Sequence, residues 1–347
     1  MKGFVNMISR RSFLKVLTGI GINLVVLTST EWPLKSIGNF FHIDKLNKAN
    51  LQPSVVSETI ITESNHIFQP IDDVKALAGL EMQGRETGSI GEGKAAAYLS
   101  DRLGRIGLTP IGESGYEQVF TIPEVNKTFV NGRLVFVPGK RNALRTPSVN
   151  LLGKIQGKKE NEIILICAHY DHMGIHENKI YPGANDNATG VACILDVLKR
   201  LVKEETPNGA SIVVAFWSGE EMGFLGSRAF IKSPLFPLSR IKAVLNVDSI
   251  GNGNIDDFVY WADTDNIAVK ALKTASISTK TKLTSAFKRG HNSDQSSFAS
   301  VGIPAVTLLS KDWLVKNHTT TDITQFVKPE KISKASDIIY RAIKLLS

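Results

Sequence analysis

Two features of the sequence predict an α/β fold in which a mixed, mostly parallel sheet lies between two layers of helices. The first is a set of short, largely apolar runs at 163–168, 212–217, 243–247 and 305–309. Such runs, without regular polar alternation, are typical of strands buried on both faces of a parallel sheet. The second is helix-periodic sequence between them and a C-terminal helix over 329–346 that begins with proline. Strands alternating with helices favour a three-layer helix–sheet–helix arrangement.

The chain before this alternating part has a different pattern. Apolar residues at helical spacing predict one helix over 72–80 and another over 94–106. Residues 117–137 alternate enough to predict strands, with the Asn-Gly pair at 131–132 as a hairpin turn. A further strand is predicted at 149–155. Because the segment between about 118 and 150 is too short for a separate lid domain, we expect a site that is open to short peptides.

The first thirty residues resemble a bacterial twin-arginine export signal. Arg10 and Arg11 precede an apolar run over 16–27. We therefore predict a signal over residues 1–30, a linker or arm over 31–65 and a single domain over 66–347. The protein is expected to be exported to the periplasm or the cell exterior, and to contact the inner membrane only if this segment is not cleaved.

Composition excludes several other classes. The 347 residues are 42% hydrophobic and 21% charged, which is typical of a globular protein. Half of the net charge of +8 lies in residues 1–30, and the rest forms no basic stripe with interleaved aromatics, so nucleic-acid binding is not expected. Two cysteines, Cys167 and Cys193, do not make a disulfide scaffold, and both are predicted to be small buried hydrophobes. No Gly-x-Ser-x-Gly motif supplies a serine nucleophile.

Polar clusters follow the apolar strands, and one more precedes the helix near 188–202. The clusters contain His169, Asp171 and His172; Asn185, Asp186 and Asn187; Glu220 and Glu221; Asp248; and His318 and Asp322. Because the carboxyl ends of parallel strands lie at one edge of a sheet, we expect these side chains to converge. Imidazole and carboxylate ligands without a thiolate suit a catalytic zinc site. Two histidines and three carboxylates can hold two metals if one carboxylate bridges them.

Five segments in a fixed order carry a resemblance to a known family. They are His169-Tyr170-Asp171, the Gly-Ala-Asn-Asp-Asn-Ala-Thr-Gly run at 183–190, the Glu-Glu-Met-Gly-Phe-Leu-Gly-Ser run at 220–227, Asn246-Val247-Asp248, and His318-Thr319-Thr320. In this order and spacing they resemble the M28 family of zinc aminopeptidases. The resemblance covers residues 72–347 and implies a zinc-exopeptidase-like fold with its metal site within 169–322.

The resemblance also implies a role for each site residue. His169 and Asp248 would bind one zinc ion, Glu221 and His318 would bind a second, and Asp186 would bridge the two.

Two further carboxylates would act without binding metal. Glu220 would be the general base that takes a proton from a metal-activated water. Asp171 would accept the second ring N–H of His169 and orient it. The family also implies a cis peptide bond between Asp186 and Asn187.

Some positions depart from the family pattern. Asn317 stands where some members have the tyrosine that stabilises the oxyanion, Ser249 where many have methionine, and Gln295 where histidine is usual. His172 and His176 are predicted to be rim or loop side chains. Trp313 either lines a side-chain pocket or packs in the core.

The sequence thus predicts a zinc-dependent exopeptidase with two zinc ions per chain, acting on peptides with a free N-terminus. One alternative is a glutaminyl cyclase-like enzyme that uses one zinc. A second is a non-catalytic zinc-binding protein, against which the retained Glu220 argues. The sequence leaves the oligomeric state open.

Overall fold

Helices cover both faces of a nine-stranded sheet. The computed structural model describes residues 69–140, 143–204, 209–286 and 292–347, so the predicted signal and linker lie outside the described residues. The strands are β1 (Thr109–Pro110), β2 (Glu117–Ile122), β3 (Val125–Val130), β4 (Arg133–Pro138), β5 (Thr146–Ile155), β6 (Lys159–His169), β7 (Gly174–His176), β8 (Lys179–Tyr181), β9 (Ala210–Trp217), β10 (Ile241–Val247), β11 (Asp257–Trp261), β12 (Lys282–Ser285) and β13 (Ala305–Ser310). The helices are α1 (Pro70–Leu77), α2 (Ile90–Ile106), α3 (Thr189–Val202), α4 (Leu225–Lys232), α5 (Ile267–Ser278), α6 (Gln295–Ala299) and α7 (Pro329–Leu346).

The middle of the sheet is parallel and its margins are mixed. The strand order is β1-β5-β9-β6-β10-β13-β11-β12, with β2 also paired to β5. Strands β9, β6, β10 and β13 run parallel to one another, whereas β5 pairs antiparallel with β9 and β11 antiparallel with β13. The predicted mixed, mostly parallel sheet is confirmed, and the four apolar runs form its four central strands.

The three layers follow from the alternation of side chains along each strand. In β6, Ile164 and Ile166 pack in the core beneath α1, α2, α3, α5 and α7. Their neighbours Leu165 and Cys167 pack on the opposite face with Phe230 of α4. Both cysteines are buried, as predicted, and neither forms a disulfide, which the sequence left open. Among the described residues, the helices all lack the combination of length and apolar character that a membrane span needs.

Local signals explain where the upstream elements begin and turn. Helix α2 starts before the predicted residue 94, because Ser89 Oγ accepts a hydrogen bond from the Glu92 N–H at 3.2 Å and caps the first turn. Asn131 and Gly132 both have positive φ, at 50° and 78°, which suits the tight turn of the β3–β4 hairpin.

This hairpin is a small separate sheet that lies against the rest of the domain. The Leu134 N–H donates to the His318 main-chain oxygen at 3.2 Å, and His318 Nδ1 lies 2.9 Å from the Leu134 main-chain oxygen. The Leu134 side chain is buried with Met173 and Tyr181. The segment is short, as predicted, yet it forms one wall beside His318 instead of leaving that side open.

A buried arginine joins three segments on the other side of the site. The Arg85 guanidinium donates to four main-chain oxygens at 2.6 to 2.9 Å, those of Leu77, Tyr170, Pro182 and Gly183. Burial lowers the pKa of Arg85 to about 10, so the side chain is still charged at neutral pH.

Replacing Arg85 with methionine should lower the free energy of unfolding by about 3 kcal/mol, because the substitution leaves buried carbonyl oxygens without donors. Urea unfolding followed by circular dichroism measures the change. Arg240→Gln is the matched control, since Arg240 is exposed. A loss no larger than that of the control would contradict the stabilising role given to Arg85.

Candidate metal centre

The predicted site residues come together at the carboxyl edge of the parallel strands. His169 is the last residue of β6, and Asp248 directly follows β10. Glu220 and Glu221 lie in the loop after β9, and Asp186 lies in the loop before α3. The parallel direction of β9, β6 and β10 brings these strand ends to one edge, which is why residues far apart in sequence meet.

Two groups of ligand-type atoms share one carboxylate. His169 Nε2 lies 3.3 Å from Asp186 Oδ1 and 3.6 Å from Asp248 Oδ1. His318 Nε2 lies 3.2 Å from Asp186 Oδ2 and 2.9 Å from Glu221 Oε2. Asp186 therefore turns one oxygen to each histidine, as a bridging carboxylate would.

The loop that carries Asp186 is held by buried polar contacts. Asp322 accepts hydrogen bonds from the Asn185 N–H at 2.8 Å and the Asp186 N–H at 3.0 Å. Asn187 Oδ1 accepts from the Gly190 N–H at 3.0 Å. The peptide bond between Asp186 and Asn187 is cis, as the resemblance implied.

Asp171 holds the main chain of the acidic pair. Its carboxylate accepts hydrogen bonds from the Glu220 N–H at 3.2 Å and from Thr87 Oγ1 at 2.9 Å. The acceptor nearest to His169 Nδ1 is the main-chain oxygen of Asp171, at 3.2 Å, while its Oδ1 is 3.6 Å away. Asp171 thus contacts His169 mainly through its backbone, and its side chain orients Glu220 and Glu221.

His172 is not a rim side chain. It is fully buried, and its Nδ1 lies 2.9 Å from Glu221 Oε1, the oxygen that does not face His318. Its ring packs edge-to-face on that of His318, with centroids 5.6 Å apart. Only folding reveals this contact, because residues 172 and 221 lie 49 positions apart. His176, by contrast, is half-buried and contacts Phe129.

The electrostatics separate the two adjacent glutamates. Burial opposes ionisation of Glu221, but the His318 charge outweighs it and lowers the pKa of Glu221 to about 2. Burial also opposes ionisation of Asp186, and hydrogen bonds from His169 and His318 nevertheless hold its pKa well below the usual range. For Glu220, burial prevails and raises the pKa well above its ordinary value. The surroundings therefore favour the ionised form of Glu221 and the protonated form of Glu220.

The arrangement fits a divalent metal. Ligand atoms of His169, Asp186 and Glu221 lie within 4.8 Å of one another, and so do those of His169, Glu220 and Asp248. Imidazole nitrogens and carboxylate oxygens, gathered and desolvated in this way, are the donor set that zinc accepts. Glu220 is thus a potential ligand beside His169 and Asp248, in addition to its predicted role as a base.

These residues line a cavity of about 380 Å³. The cavity also contacts Trp261, Trp313 and Leu314, so Trp313 belongs to a pocket wall. The rings of Trp261 and Trp313 meet at right angles with centroids 5.0 Å apart. With Phe224, this wall is the apolar part of a cavity whose other lining side chains are polar or charged.

The three departures from the family pattern are all hydrogen-bonded. Asn317 Nδ2 donates to Asp186 Oδ2, so this amide supports the shared carboxylate and is not a free oxyanion donor. Ser249 Oγ donates to Asp248 Oδ1 at 2.9 Å. Gln295 Oε1 accepts from Thr307 Oγ1 at 2.7 Å, behind the site.

The chain was compared with protein families and with known proteins. Residues 150–343, more than half of it, match Peptidase family M28. An aminopeptidase of Pseudomonas aeruginosa (strain UCBPP-PA14) is 32% identical over 121 residues, which is 34% of this chain and 21% of that protein. Leucine aminopeptidase 2 of Trichophyton rubrum is 32% identical over 115 residues, covering 33% of this chain and 22% of that protein. The chain thus matches about a fifth of the length of these curated relatives.

Solved structures share the fold. The zinc aminopeptidase BSAP of Bacillus subtilis superposes with a TM-score of 0.65 at 17% identity, covering 79% of this chain and 93% of that one. A glutaminyl cyclase of Porphyromonas gingivalis gives a TM-score of 0.60 at 15% identity, covering 80% and 98%. At such low identities the similarity describes the fold alone. The family match includes every predicted metal ligand, and the chain therefore belongs to peptidase family M28.

Proposed function

We propose that this protein is a zinc-dependent aminopeptidase that binds two zinc ions per chain and removes N-terminal residues from peptides. The observation that carries the proposal is the position of Asp186, with one carboxylate oxygen toward His169 and the other toward His318. Membership of family M28 and the aminopeptidase names of the relatives support the same activity. In this proposal His169 and Asp248 would hold one ion, Glu221 and His318 would hold the other, and Asp186 would be shared between them.

The residues around the ions have different roles in the proposed reaction. Bound zinc would supply polarisation of the scissile carbonyl and of the attacking water. Glu220, whose burial raises its pKa, takes the proton from that water and delivers it to the leaving amine nitrogen. Asp171 keeps Glu220 in place through the main chain. The wall of Trp261, Trp313 and Leu314 receives an apolar N-terminal side chain.

A substrate panel with and without a chelator tests the proposal. Leucine 4-nitroanilide should be hydrolysed, lysine 4-nitroanilide more slowly, and N-acetyl-leucine 4-nitroanilide not at all. Treatment with 1,10-phenanthroline should abolish hydrolysis, and added zinc should restore it. Equal cleavage of free and blocked substrates would refute the aminopeptidase assignment.

The same panel separates the alternative reactions. A glutaminyl cyclase would release ammonia from glutaminyl peptides and leave leucine 4-nitroanilide intact. It would also bind one zinc, whereas the proposed enzyme binds two, which metal analysis by mass spectrometry distinguishes. A protein that binds zinc and turns over no member of the panel would be the non-catalytic relative. Export through the signal at residues 1–30 stays a prediction.

A further inference from the structure

Arg133 brings a positive charge into the cavity of the metal centre. It is the first residue of β4 in the hairpin beside the site, and it lines the cavity together with Glu220 and His318. Among the described residues that line this cavity, it is the sole lysine or arginine. The reaction proposed above assigns no role to Arg133.

Asn317 fixes the guanidinium and leaves most of it unused. Arg133 Nη2 donates to Asn317 Oδ1, and its Nε donates to the Asn317 main-chain oxygen at 3.4 Å. A guanidinium has five N–H donors, so three remain. Within the described part of the chain, no carboxylate forms an ion pair with Arg133. The buried Arg102, in contrast, is paired with Asp73 at 2.7 Å.

The hairpin holds this group in a defined position. The Leu134 N–H donates to the His318 main-chain oxygen, and His318 Nδ1 lies within hydrogen-bond distance of the Leu134 main-chain oxygen. Lys127, on the other strand, donates to Glu86 Oε2 at 2.6 Å and to the Met173 main-chain oxygen at 2.8 Å. Because the guanidinium is positioned before any ligand arrives, binding to it costs little ordering of the protein.

We propose that Arg133 is a carboxylate-binding subsite, which makes short peptides with a carboxylate next to the scissile bond the preferred substrates. An arginine with a free edge matches a carboxylate with two parallel hydrogen bonds. The carboxylate is either the C-terminus of a dipeptide or an acidic side chain of the first or second residue. This inference rests on the proposed aminopeptidase function, since it places the scissile bond at the metal centre.

Binding to a protein that cannot turn over is the first test. In the zinc-loaded Glu220→Gln variant, calorimetry should show Leu-Gly binding about tenfold more tightly than Leu-Gly amide, which is about 1.4 kcal/mol. Adding Arg133→Gln should bring the ratio to about one, whereas adding Arg240→Gln, at an exposed position, should leave it unchanged. The proposal would be overturned if the Glu220→Gln variant bound Leu-Gly and Leu-Gly amide equally well and also showed no preference for the acid in any of the further peptide pairs below.

Further pairs identify the source of the carboxylate. Leu-Asp amide against Leu-Asn amide tests an acidic second residue, and Asp-Gly amide against Asn-Gly amide tests an acidic first residue. A preference for the acid that disappears with Arg133→Gln, in any one pair, supports the subsite and names its ligand.

Kinetics separate this role from an indirect one. If Arg133 binds the carboxylate, Arg133→Gln should raise KM for Leu-Gly about tenfold and change kcat/KM for Leu-Gly amide less than threefold, with zinc content unchanged. Equal losses on both substrates would instead mean that Arg133 acts through Asn317 on Asp186, and the subsite would be wrong. If the wild type hydrolyses neither of these peptides nor leucine 4-nitroanilide, the proposed function fails, while the calorimetric comparison still decides the subsite.

Discussion

Replacing Glu220 with glutamine is expected to lower kcat/KM for leucine 4-nitroanilide by about 10³-fold while the zinc content stays at the wild-type level. Glutamine keeps the size of the side chain but cannot take a proton from water. Glu220 lines the cavity, and burial raises its pKa well above that of an exposed glutamate, which suits a group that must both accept and release a proton. Steady-state kinetics and metal analysis of the same samples measure the two effects.

Two controls define the meaning of that result. Glu160→Gln makes the same chemical change at an exposed position of β6 and should leave activity unchanged. Glu220→Asp keeps the carboxylate and moves it by one methylene, so it should retain more activity than Glu220→Gln. Wild-type rates in Glu220→Gln would show that Glu220 is not the base, and loss of zinc from that variant would show that Glu220 binds metal.

Replacing the neighbouring Glu221 with alanine should have a different signature, namely loss of zinc. Glu221 Oε2 lies 2.9 Å from His318 Nε2, and the pKa of Glu221 is lowered to about 2, so the carboxylate is an anion at any working pH. Without it, His318 and Asp186 remain as the ligands of the second ion. We expect about one zinc per chain instead of two, and a fall in activity of at least about 10²-fold.

The pair of adjacent variants is the sharpest comparison that the site offers. Glu221→Ala should lose metal, Glu220→Gln should keep it, and both should lose activity. Zinc-dependent thermal stabilisation should fall in Glu221→Ala, because a ligand that binds only the folded state stabilises it by mass action. Two zinc ions bound with unchanged affinity in Glu221→Ala would contradict the ligand role of Glu221.

The apolar strands illustrate what local sequence predicts well. The run at 163–168 is β6, and the runs at 212–217 and 305–309 are the cores of β9 and β13. Each is buried on both faces, so its composition alone distinguishes it from exposed segments. The start of α2 was harder to predict from the sequence, because Ser89 caps the helix well before its first periodic apolar residue.

The convergence of the site residues was also predictable, since it needs only the rule that parallel strands end at a common edge. His169, Asp186, Glu221, Asp248 and His318 meet there as expected. The burial of His172 against Glu221 was not predictable, because nothing near residue 172 records a partner 49 positions away.

Arg133 is the clearest example of a contact that the sequence could not predict. Its sequence neighbourhood indicates a strand of a hairpin and nothing else, and its contact with Asn317 joins residues 184 positions apart. The amino-acid sequence by itself determined the strands, the helices and the types of ligand at the sheet edge, because those follow from local periodicity and strand direction. The tertiary structure alone decided which side chains contact the ligands and where the guanidinium of Arg133 points, because such contacts depend on how separate segments pack.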